Sequence, residues 1–214
     1  MAAGRGERLG APGPKAFVML GDRPLYAWSL EALRAAPSVT QVVVAVPAGS
    51  EAEIDGALAV AGGASRSESV RNALAAAPAA DDVVVVHDAA RPLLDAGLVE
   101  RCVAGLEGFD AVVAAAPVTD TIKRAGGDHV VRETLDRSAL WAVQTPQVFR
   151  REALERALAQ PSEVLAAATD DAGLVEALGG RVGVVPSARE NLKVTTPIDL
   201  RVAELLLDER RGPA

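Results

Sequence analysis

The chain has 214 residues, of which 50% are apolar and only 3% aromatic, and its formal net charge is −7. This length suits one domain, over residues 1–214, with a sizeable core of small aliphatic side chains. The acidic balance argues against general nucleic-acid binding, and the single cysteine excludes an intrachain disulfide. No apolar run is long enough to cross a bilayer, so we expect a cytoplasmic protein.

The first fifteen residues form a basic, glycine-rich segment. This segment contains four glycines, two prolines and three cations. Glycines let backbone N–H groups turn towards phosphate oxygens, and the side chains of Arg8 and Lys15 add positive charge beside them. The segment lacks the Gly-Lys-Ser/Thr ending of a P-loop and opens no long apolar helix, so a dinucleotide fingerprint fits poorly. A phosphate-binding loop is one interpretation, and an unstructured terminus is the other.

Continuous apolar runs alternate with segments of helical spacing along most of the chain. The runs predict strands at 41–46, 58–61, 82–86, 110–116 and 182–185. The helical spacing predicts helices at 24–35, 50–57, 67–77, 95–107, 151–159, 171–178 and 197–209. This alternation is typical of an α/β fold with a doubly wound, mostly parallel sheet, in which ligands bind beyond the carboxyl ends of the strands.

The pattern changes between Lys123 and Trp141. Gly126-Gly127-Asp128 is a turn signal between two apolar segments, which predicts a β-hairpin instead of another β-α-β unit. A projecting arm over about residues 122–138 buries little surface by itself. We therefore expect the arm to pack against a partner subunit.

Polar motifs lie where the predicted strands end. Asp88 could bind a sugar hydroxyl or a metal, and Arg91 could bind a phosphate through two hydrogen bonds. A surface turn joining these two residues is the structural alternative. Other polar motifs could carry similar chemistry, or could only cap helices and face solvent. They are Gly62-Gly63 with the serines up to Ser69, Thr119-Asp120-Thr121-Ile122-Lys123, Gln144-Thr145-Pro146-Gln147, Thr169-Asp170-Asp171 and Asn191-Leu192-Lys193.

In order and spacing, these motifs resemble those of the 2-C-methyl-D-erythritol 4-phosphate cytidylyltransferases, which use CTP in the non-mevalonate isoprenoid pathway. The resemblance runs from Ala2 to about Leu207. It rests on Ala2-Ala3-Gly4-x-Gly6-x-Arg8, Pro14-Lys15, Gly62-Gly63 with Ser69-Val70, Val86-His87-Asp88-Ala89-Ala90-Arg91-Pro92, Asp120-Thr121-Ile122-Lys123, Gln144-Thr145-Pro146-Gln147 and Asn191-Leu192-Lys193-Val194. Ala64 stands where the family can have an acidic residue. The resemblance therefore implies that backbone groups of this loop make the contacts with the cytosine base.

The resemblance implies a Rossmann-like fold and a reaction in which a methylerythritol phosphate oxygen attacks the α-phosphorus of CTP and releases pyrophosphate. Mg²⁺ is the implied cofactor, bound mainly by the CTP phosphates and with no certain protein ligand. A homodimer with crossed arms is also implied, in which Arg137 and Thr121 can serve the partner's site. The implied residues are Arg8, Lys15, Arg137 and Lys193 for catalysis, Ala2, Ala3, Gly4, Gly6, Gly63, Ser69 and Asp88 for CTP, and Arg91, Thr121 and Thr145 for the second substrate.

Two other functions use the same motifs. A cytidylyltransferase for another polyol phosphate, such as ribitol 5-phosphate, would share the CTP loops and differ around Arg137 and Thr145. A non-catalytic nucleotide-binding protein on the same fold is the second alternative. The presence of both Arg8 and Lys15 argues against it.

An apolar strand is expected before the glycine-rich segment, because a central strand leads into that segment in the fold that the resemblance implies. No apolar run precedes Ala2 in this sequence. A sheet without that strand would leave buried backbone groups unpaired, at a cost of about 1–3 kcal/mol each. We therefore expect this first central strand to be missing from the chain, and the native protein to begin roughly six to ten residues earlier.

Overall fold

The computed structural model of the protein describes residues 1–4, 9, 13–51, 54 and 57–211. The strands are β1 (Met19–Leu20), β2 (Arg23–Pro24), β3 (Val43–Val46), β4 (Leu58–Ala61), β5 (Val83–Val86), β6 (Ala111–Pro117), β7 (Lys123–Ala125), β8 (Val131–Thr134), β9 (Trp141–Arg150) and β10 (Val182–Pro186). The α-helices are α1 (Leu25–Arg34), α2 (Arg66–Ala76), α3 (Ala96–Ala104), α4 (Arg151–Leu158), α5 (Ser162–Ala167), α6 (Asp171–Ala177) and α7 (Pro197–Arg211).

The sequence predicts the class of the fold and most of these elements. The ends of the predicted strands and helices lie within three residues of the observed ends. The α/β class is confirmed. The predicted helix at 50–57 lies largely outside the described residues. In the described ranges, no helix is both long and apolar enough to cross a membrane.

The main sheet has four strands in the order β10-β6-β9-β5. Strands β10 and β6 are parallel, whereas β9 runs antiparallel to both of its neighbours, β6 and β5. The sequence does not predict β9, because its buried half contains Gln144, Thr145 and Gln147, which interrupt the apolar pattern. An antiparallel strand therefore stands inside an otherwise parallel arrangement.

Helices cover both faces of this sheet, since alternate residues of one strand point to opposite sides. In β6, Val112 and Ala114 pack with Val148 of β9 against a cluster that includes residues of α3. Val113 packs with Phe149 of β9 on the other face, in a cluster formed with residues of α2, α4, α5 and α6. The core is thus two apolar layers separated by the sheet, which is the doubly wound arrangement that the sequence predicts.

A separate two-stranded parallel sheet is formed by β3 and β4. Between β3 and β5 lies a cavity of about 360 Å³, lined on its two sides by residues 42–44 and 83–86. Met1 and Ala2 lie at one end of this cavity, where the Ala2 N–H donates to the Ala45 carbonyl at 2.8 Å and the Ala89 N–H donates to the Met1 carbonyl at 3.0 Å. An open space is thus bordered by β3 on one side and by β5 on the other.

The arm is the hairpin that the turn signal predicts. Strands β7 and β8 pair antiparallel, and every residue of both strands is exposed. Val130 and Val131 have relative accessibilities of 51% and 54%. His129 takes the left-handed conformation, with φ of 59°, at the turn. In this single chain the arm therefore has no apolar core of its own.

Candidate active site

The loops that follow β5 and precede α7 meet at Asp88. This residue comes directly after the buried end of β5 and is itself 7% exposed. Its Oδ2 atom accepts a hydrogen bond from Nζ of Lys193 at 2.7 Å, and its Oδ1 atom accepts one from Nε of Arg66 at 3.2 Å. Two residues that the resemblance assigns to the site, Asp88 and Lys193, are therefore in direct contact although they are 105 positions apart in sequence.

The charge state of Asp88 follows from these contacts. Burial alone would raise the pKa of its carboxyl group, but the nearby cations Arg66 and Lys193 lower that pKa well below its usual range. The amino group of Met1 also faces Asp88 and contributes in the same direction. Asp88 is thus a carboxylate at every pH at which the protein is expected to work.

Arg66 and Asp171 complete this group of charges. Asp171 is fully buried. Its Oδ2 atom accepts from Nη1 of Arg66 at 2.5 Å, and its Oδ1 atom accepts from the Ser67 hydroxyl at 2.9 Å. For Thr169-Asp170-Asp171 the sequence allows helix capping or metal binding, and the cap is formed by Asp170, whose side chain accepts from the Gly173 N–H. Arg66 and Asp171 are not among the site residues that the sequence assigns.

His87 supports the loop that follows β5 through hydrogen bonds at both of its ring nitrogens, and its imidazole stays neutral. Burial lowers the pKa of its imidazole to about 3. Nε2 lies 3.1 Å from the Arg91 carbonyl, which only accepts, and Nδ1 lies 3.0 Å from the Thr145 hydroxyl. Nε2 therefore carries the proton and Nδ1 accepts from Thr145, whose oxygen in turn accepts from the Asp88 N–H at 3.0 Å. Thr145 is thus held beside Asp88 through the buried part of β9.

Arg91 and Asn191 join the loop after β5 to the loop before α7. Nη1 of Arg91 donates to the Asn191 carbonyl at 2.7 Å, and Nη2 donates to the Val143 carbonyl at 3.5 Å. The Asn191 amide donates to the Gln144 side chain at 2.9 Å and to the Thr145 carbonyl at 2.8 Å. Arg91 therefore binds two backbone carbonyls of the protein through its two Nη atoms. Its Nε atom is buried and has no partner among the described residues.

The glycine pair after β4 allows a close approach of two backbone segments. A Cβ atom on Gly62 would lie 2.6 Å from the Cβ atom of Ala3, and one on Gly63 would lie 2.4 Å from the Cβ atom of Glu68. The Gly63 N–H donates to the Ser69 hydroxyl at 2.9 Å. The structure thus brings Ala3, Gly63 and Ser69 together at one side of the site, and only glycine fits at both positions of the pair.

Of the glycine-rich segment, the structure describes the two ends and Leu9. The Lys15 N–H donates to the Gly4 carbonyl at 3.2 Å, which joins the ends of the segment. Burial acts to raise the pKa of the nearby Asp199 carboxyl group, but the N–H groups of Thr196 and Thr195 lower it below its usual value. Lys15 makes a smaller contribution in the same lowering direction. Arg8 and Gly6, which the resemblance assigns to catalysis and CTP binding, lie outside the described residues.

Thr121 and Arg137 lie at the base of the exposed arm. Nη1 of Arg137 donates to the Thr119 carbonyl at 2.6 Å. Arg189, which the sequence does not single out, donates to the Thr119 hydroxyl. Thr121 is exposed. These side chains are thus on a part of the molecule that differs from the buried group around Asp88.

This arrangement suits an anionic ligand with sugar hydroxyls. Lys193 and Arg66 provide positive charge, and Asp88 provides an acceptor. Across the part of the chain that the structure describes, no three or more His, Cys, Asp or Glu side chains form a group that could hold a metal ion.

Comparisons with known proteins give the same family. Residues 1–209 match the family model described as 2-C-methyl-D-erythritol 4-phosphate cytidylyltransferase. A relative of that name from Frankia casuarinae is 49% identical over 212 residues, which cover 96% of this chain and 79% of the relative. Another, from Synechococcus elongatus, is 42% identical over 223 residues, which cover 100% of this chain and 96% of the relative.

Solved structures agree with these sequence matches. The 2-C-methyl-D-erythritol 4-phosphate cytidylyltransferase from Thermus thermophilus is similar with a TM-score of 0.80 and 40% identity, over 92% of this chain and 94% of that chain. A bifunctional protein from Campylobacter jejuni is similar with a TM-score of 0.78 and 28% identity, and the match covers 94% of this chain but 52% of that one. The chain belongs to the 2-C-methyl-D-erythritol 4-phosphate cytidylyltransferase family.

Proposed function

We propose that the protein transfers the cytidylyl group of CTP to 2-C-methyl-D-erythritol 4-phosphate. The products are 4-diphosphocytidyl-2-C-methyl-D-erythritol and pyrophosphate, in isoprenoid precursor biosynthesis. The observation that carries this proposal is the contact between Asp88 and Lys193 at 2.7 Å. It places a cation and a hydroxyl acceptor at the edge of the sheet where the family motifs meet.

Both substrates are anions, so the main obstacle to reaction is their mutual repulsion. We assign Arg8, Lys15 and Lys193 to the phosphates, where they neutralise charge that builds on the α-phosphorus and on the leaving pyrophosphate. One such preorganised donor is typically worth about 3–4 kcal/mol. No covalent nucleophile on the protein is needed, because positioning and charge neutralisation supply most of the catalysis in phosphoryl-type transfer.

We assign to Lys193 a movement from Asp88 towards the phosphates. Its side chain is 43% exposed, whereas the side chain of Asp88 is 10% exposed. The lysine can therefore turn towards a ligand from the solvent side while the carboxylate stays in place. Asp88 then accepts from a hydroxyl of the ribose or of the polyol.

The cytosine and the ribose of CTP are assigned to the side of the site formed by the glycines. Ala2, Ala3, Gly4 and Gly6 belong to the first loop, and Gly63 and Ser69 to the second. Ala3 and Gly62 approach closely, so the first and the second loop meet on this side of the site. Backbone groups of the second loop would read the base edge, because Ala64 has no polar side chain.

The methylerythritol phosphate is assigned to Arg91, Thr121, Arg137 and Thr145. Thr145 is held beside Asp88 through the Asp88 N–H, and Arg91 lies on the same loop as Asp88. Thr121 and Arg137 are at the base of the arm. A phosphate monoester placed between these two regions would meet the guanidinium groups of Arg91 and Arg137.

Mg²⁺ is the proposed cofactor. When bound, it supplies charge neutralisation on the triphosphate. Asp88 is the one carboxylate among the assigned residues and so the candidate protein ligand, but both of its oxygens already accept hydrogen bonds. The donor set therefore fits a magnesium ion that keeps phosphate oxygens and water as its main ligands.

A homodimer joined through the arm is the proposed assembly. The exposed Val130 and Val131 are apolar residues on a hairpin without its own core, and a second copy of the arm would cover them. Such pairing would also bring Arg137 and Thr121 of one chain towards the site of the other.

A pyrophosphate-release assay tests the proposed function. Purified protein with Mg²⁺ and CTP should release pyrophosphate when 2-C-methyl-D-erythritol 4-phosphate is present, and much less with ribitol 5-phosphate. Equal or greater release with ribitol 5-phosphate would identify a different polyol phosphate cytidylyltransferase. Nucleotide binding without release with any polyol phosphate would identify a non-catalytic protein.

A further inference from the structure

The two carboxylate oxygens of Asp88 have partners of different kinds. Oδ1 accepts from Nε of Arg66, whose side chain is 27% exposed, and Oδ2 accepts from Nζ of Lys193, whose side chain is 43% exposed. Arg66 lies in the first turn of α2, which is held by a capping box between Ser65 and Glu68. The Oδ1 contact is therefore part of the protein framework, and the Oδ2 contact lies nearer to solvent.

The side chain of Arg66 is in turn held by Asp171, whose carboxylate is fully buried. Asp171 begins α6 and binds both Arg66, at 2.5 Å, and the neighbouring Ser67, at 2.9 Å. A buried cation between two carboxylates is stabilised only when the geometry is good and the remaining donors are satisfied. The burial of Arg66 would lower the pKa of its guanidinium, but Asp88 and Asp171 together raise it. Arg66 thus stays charged and is oriented by Asp171.

We infer that Arg66, which is anchored by Asp171, is a positioning residue that holds Oδ1 of Asp88. With Oδ1 held, Oδ2 can exchange its hydrogen-bond donor, from Lys193 to a sugar hydroxyl of the substrate. The inference rests on the proposed function, in which Lys193 moves to the phosphates. When Lys193 leaves, a hydroxyl donates to Oδ2 in its place. Arg66 keeps Asp88 oriented during this exchange and keeps it ionised after the lysine has gone.

The hydroxyl can come from the ribose of CTP or from the polyol. Both offer the same chemistry to Oδ2. Separate Michaelis constants for the two substrates distinguish these sources, because a variant with a misplaced Asp88 loses affinity for the substrate whose hydroxyl it binds.

Arg66 also controls when Asp88 takes up a proton. The ionisable groups that face Asp88 are Arg66, Lys193, Arg91 and the amino group of Met1, whose own pKa is lowered to about 6 by burial. Asp88 does not set the acid limb of the kcat/KM profile in the wild type, because it stays ionised at working pH. Removing the charge of Arg66 raises the pKa of Asp88, so the acid limb should move to higher pH once protonation of Asp88 limits activity. A residue that only stabilised the fold would leave this limb where it is.

The test uses a double variant, Arg66→Gln with Asp171→Asn. The two substitutions remove opposite charges together, so that no buried carboxylate is left without its cation. Arg66→Lys keeps a charge at the position but lacks the planar fork that reaches Asp88 and Asp171 together. The matched control is Arg71→Gln, because Arg71 lies on the same helix and pairs with Glu68 at the surface.

The double variant should raise the KM for one of the two substrates by about tenfold, which is the usual effect of losing a charge-assisted hydrogen bond. Its acid limb should shift to higher pH, whereas Arg66→Lys should keep the wild-type limb with an intermediate KM. Arg71→Gln should match the wild type. A folded double variant with wild-type KM values and a wild-type acid limb overturns the inference.

Thermal unfolding of each variant checks that it folds. If the double variant does not fold, Arg66→Lys decides, and wild-type KM values for both substrates in that variant overturn the inference. Failure of the proposed function looks different, since the wild-type protein would then release no pyrophosphate with either polyol phosphate.

Discussion

The group of charged residues around Asp88 and the arm differ in their exposure to solvent and in how their charges are paired. Around Asp88 the carboxylates of Asp88 and Asp171 are buried, and each is paired with a cation that reaches partly into solvent. On the arm, the ion pair between Arg124 and Glu133 lies at the surface, where such pairs contribute little to stability. The contacts around Asp88 hold their geometry within a single chain, whereas every residue of the two arm strands is exposed. The two regions should therefore respond differently to the same kind of substitution.

The largest expected contrast is between Lys15 and Lys123. Lys15→Ala should reduce kcat by about 100- to 1,000-fold, the effect of removing a preorganised donor from developing charge, and should leave the fold intact. Lys123→Ala on the arm, where Nζ donates to the Thr134 hydroxyl, should have a much smaller effect. Steady-state pyrophosphate release and thermal unfolding measure both quantities. Near-wild-type activity of Lys15→Ala would remove this lysine from the mechanism.

The buried histidine beside Asp88 gives the stability a dependence on pH. His87 has its pKa lowered to about 3 from 6.5, so the unfolded chain binds more protons than the folded one between these values. The free energy of unfolding should therefore fall as the pH falls through this range, by up to about 1.4 kcal/mol for each pH unit. Denaturant unfolding at several pH values measures the slope.

A substitution at the buried histidine tests its part in this slope. His87→Gln should flatten the dependence on pH. A wild-type slope in His87→Gln would assign the acid sensitivity to other groups.

Lys193→Ala should cost at least about tenfold in kcat/KM, through one charge-assisted contact worth about 1.5–3 kcal/mol. It also leaves Oδ2 of Asp88 without the ammonium that holds it in the ligand-free protein. Steady-state kinetics with each substrate varied in turn would show whether the loss is in kcat, in the KM for CTP or in the KM for the polyol phosphate. An unchanged kcat/KM would mean that the ion pair with Asp88 is only structural.

The smallest effect, and the sharpest test of the arm, comes from mixed dimers. An Arg137→Ala chain mixed with an inactive Lys15→Ala chain should recover part of the activity if the arm of one chain serves the site of the other. Native mass spectrometry would establish that mixed dimers have formed. Confirmed mixed dimers without recovered activity would place Arg137 in the site of its own chain.

How far the sequence predicts the molecule depends on how local each feature is. Apolar periodicity predicts every observed α-helix except α5, together with strands β3, β4, β5, β6 and β10, and the turn signal Gly126-Gly127-Asp128 predicts the arm. Strand β9 is missed because its buried polar residues are satisfied by distant partners, as when the Gln147 amide donates to the Asp170 carboxylate at 2.7 Å. Local pattern alone does not contain that information.

The site follows the same rule. The strand-end motif around Asp88 and the lysine before α7 are visible in sequence, because each stands at the end of a predicted element. Asp171 is not visible as a site residue, since it sits beside Asp170 in a pattern that helix capping already accounts for. Its partner Arg66 is 105 positions away.

The cavity of about 360 Å³ between β3 and β5 has a consequence for how the protein responds to compression. Internal voids disappear when a chain unfolds, and the volume of the system then decreases. Hydrostatic pressure should accordingly favour the unfolded chain, and a variant in which larger apolar side chains fill this space should unfold at a higher pressure.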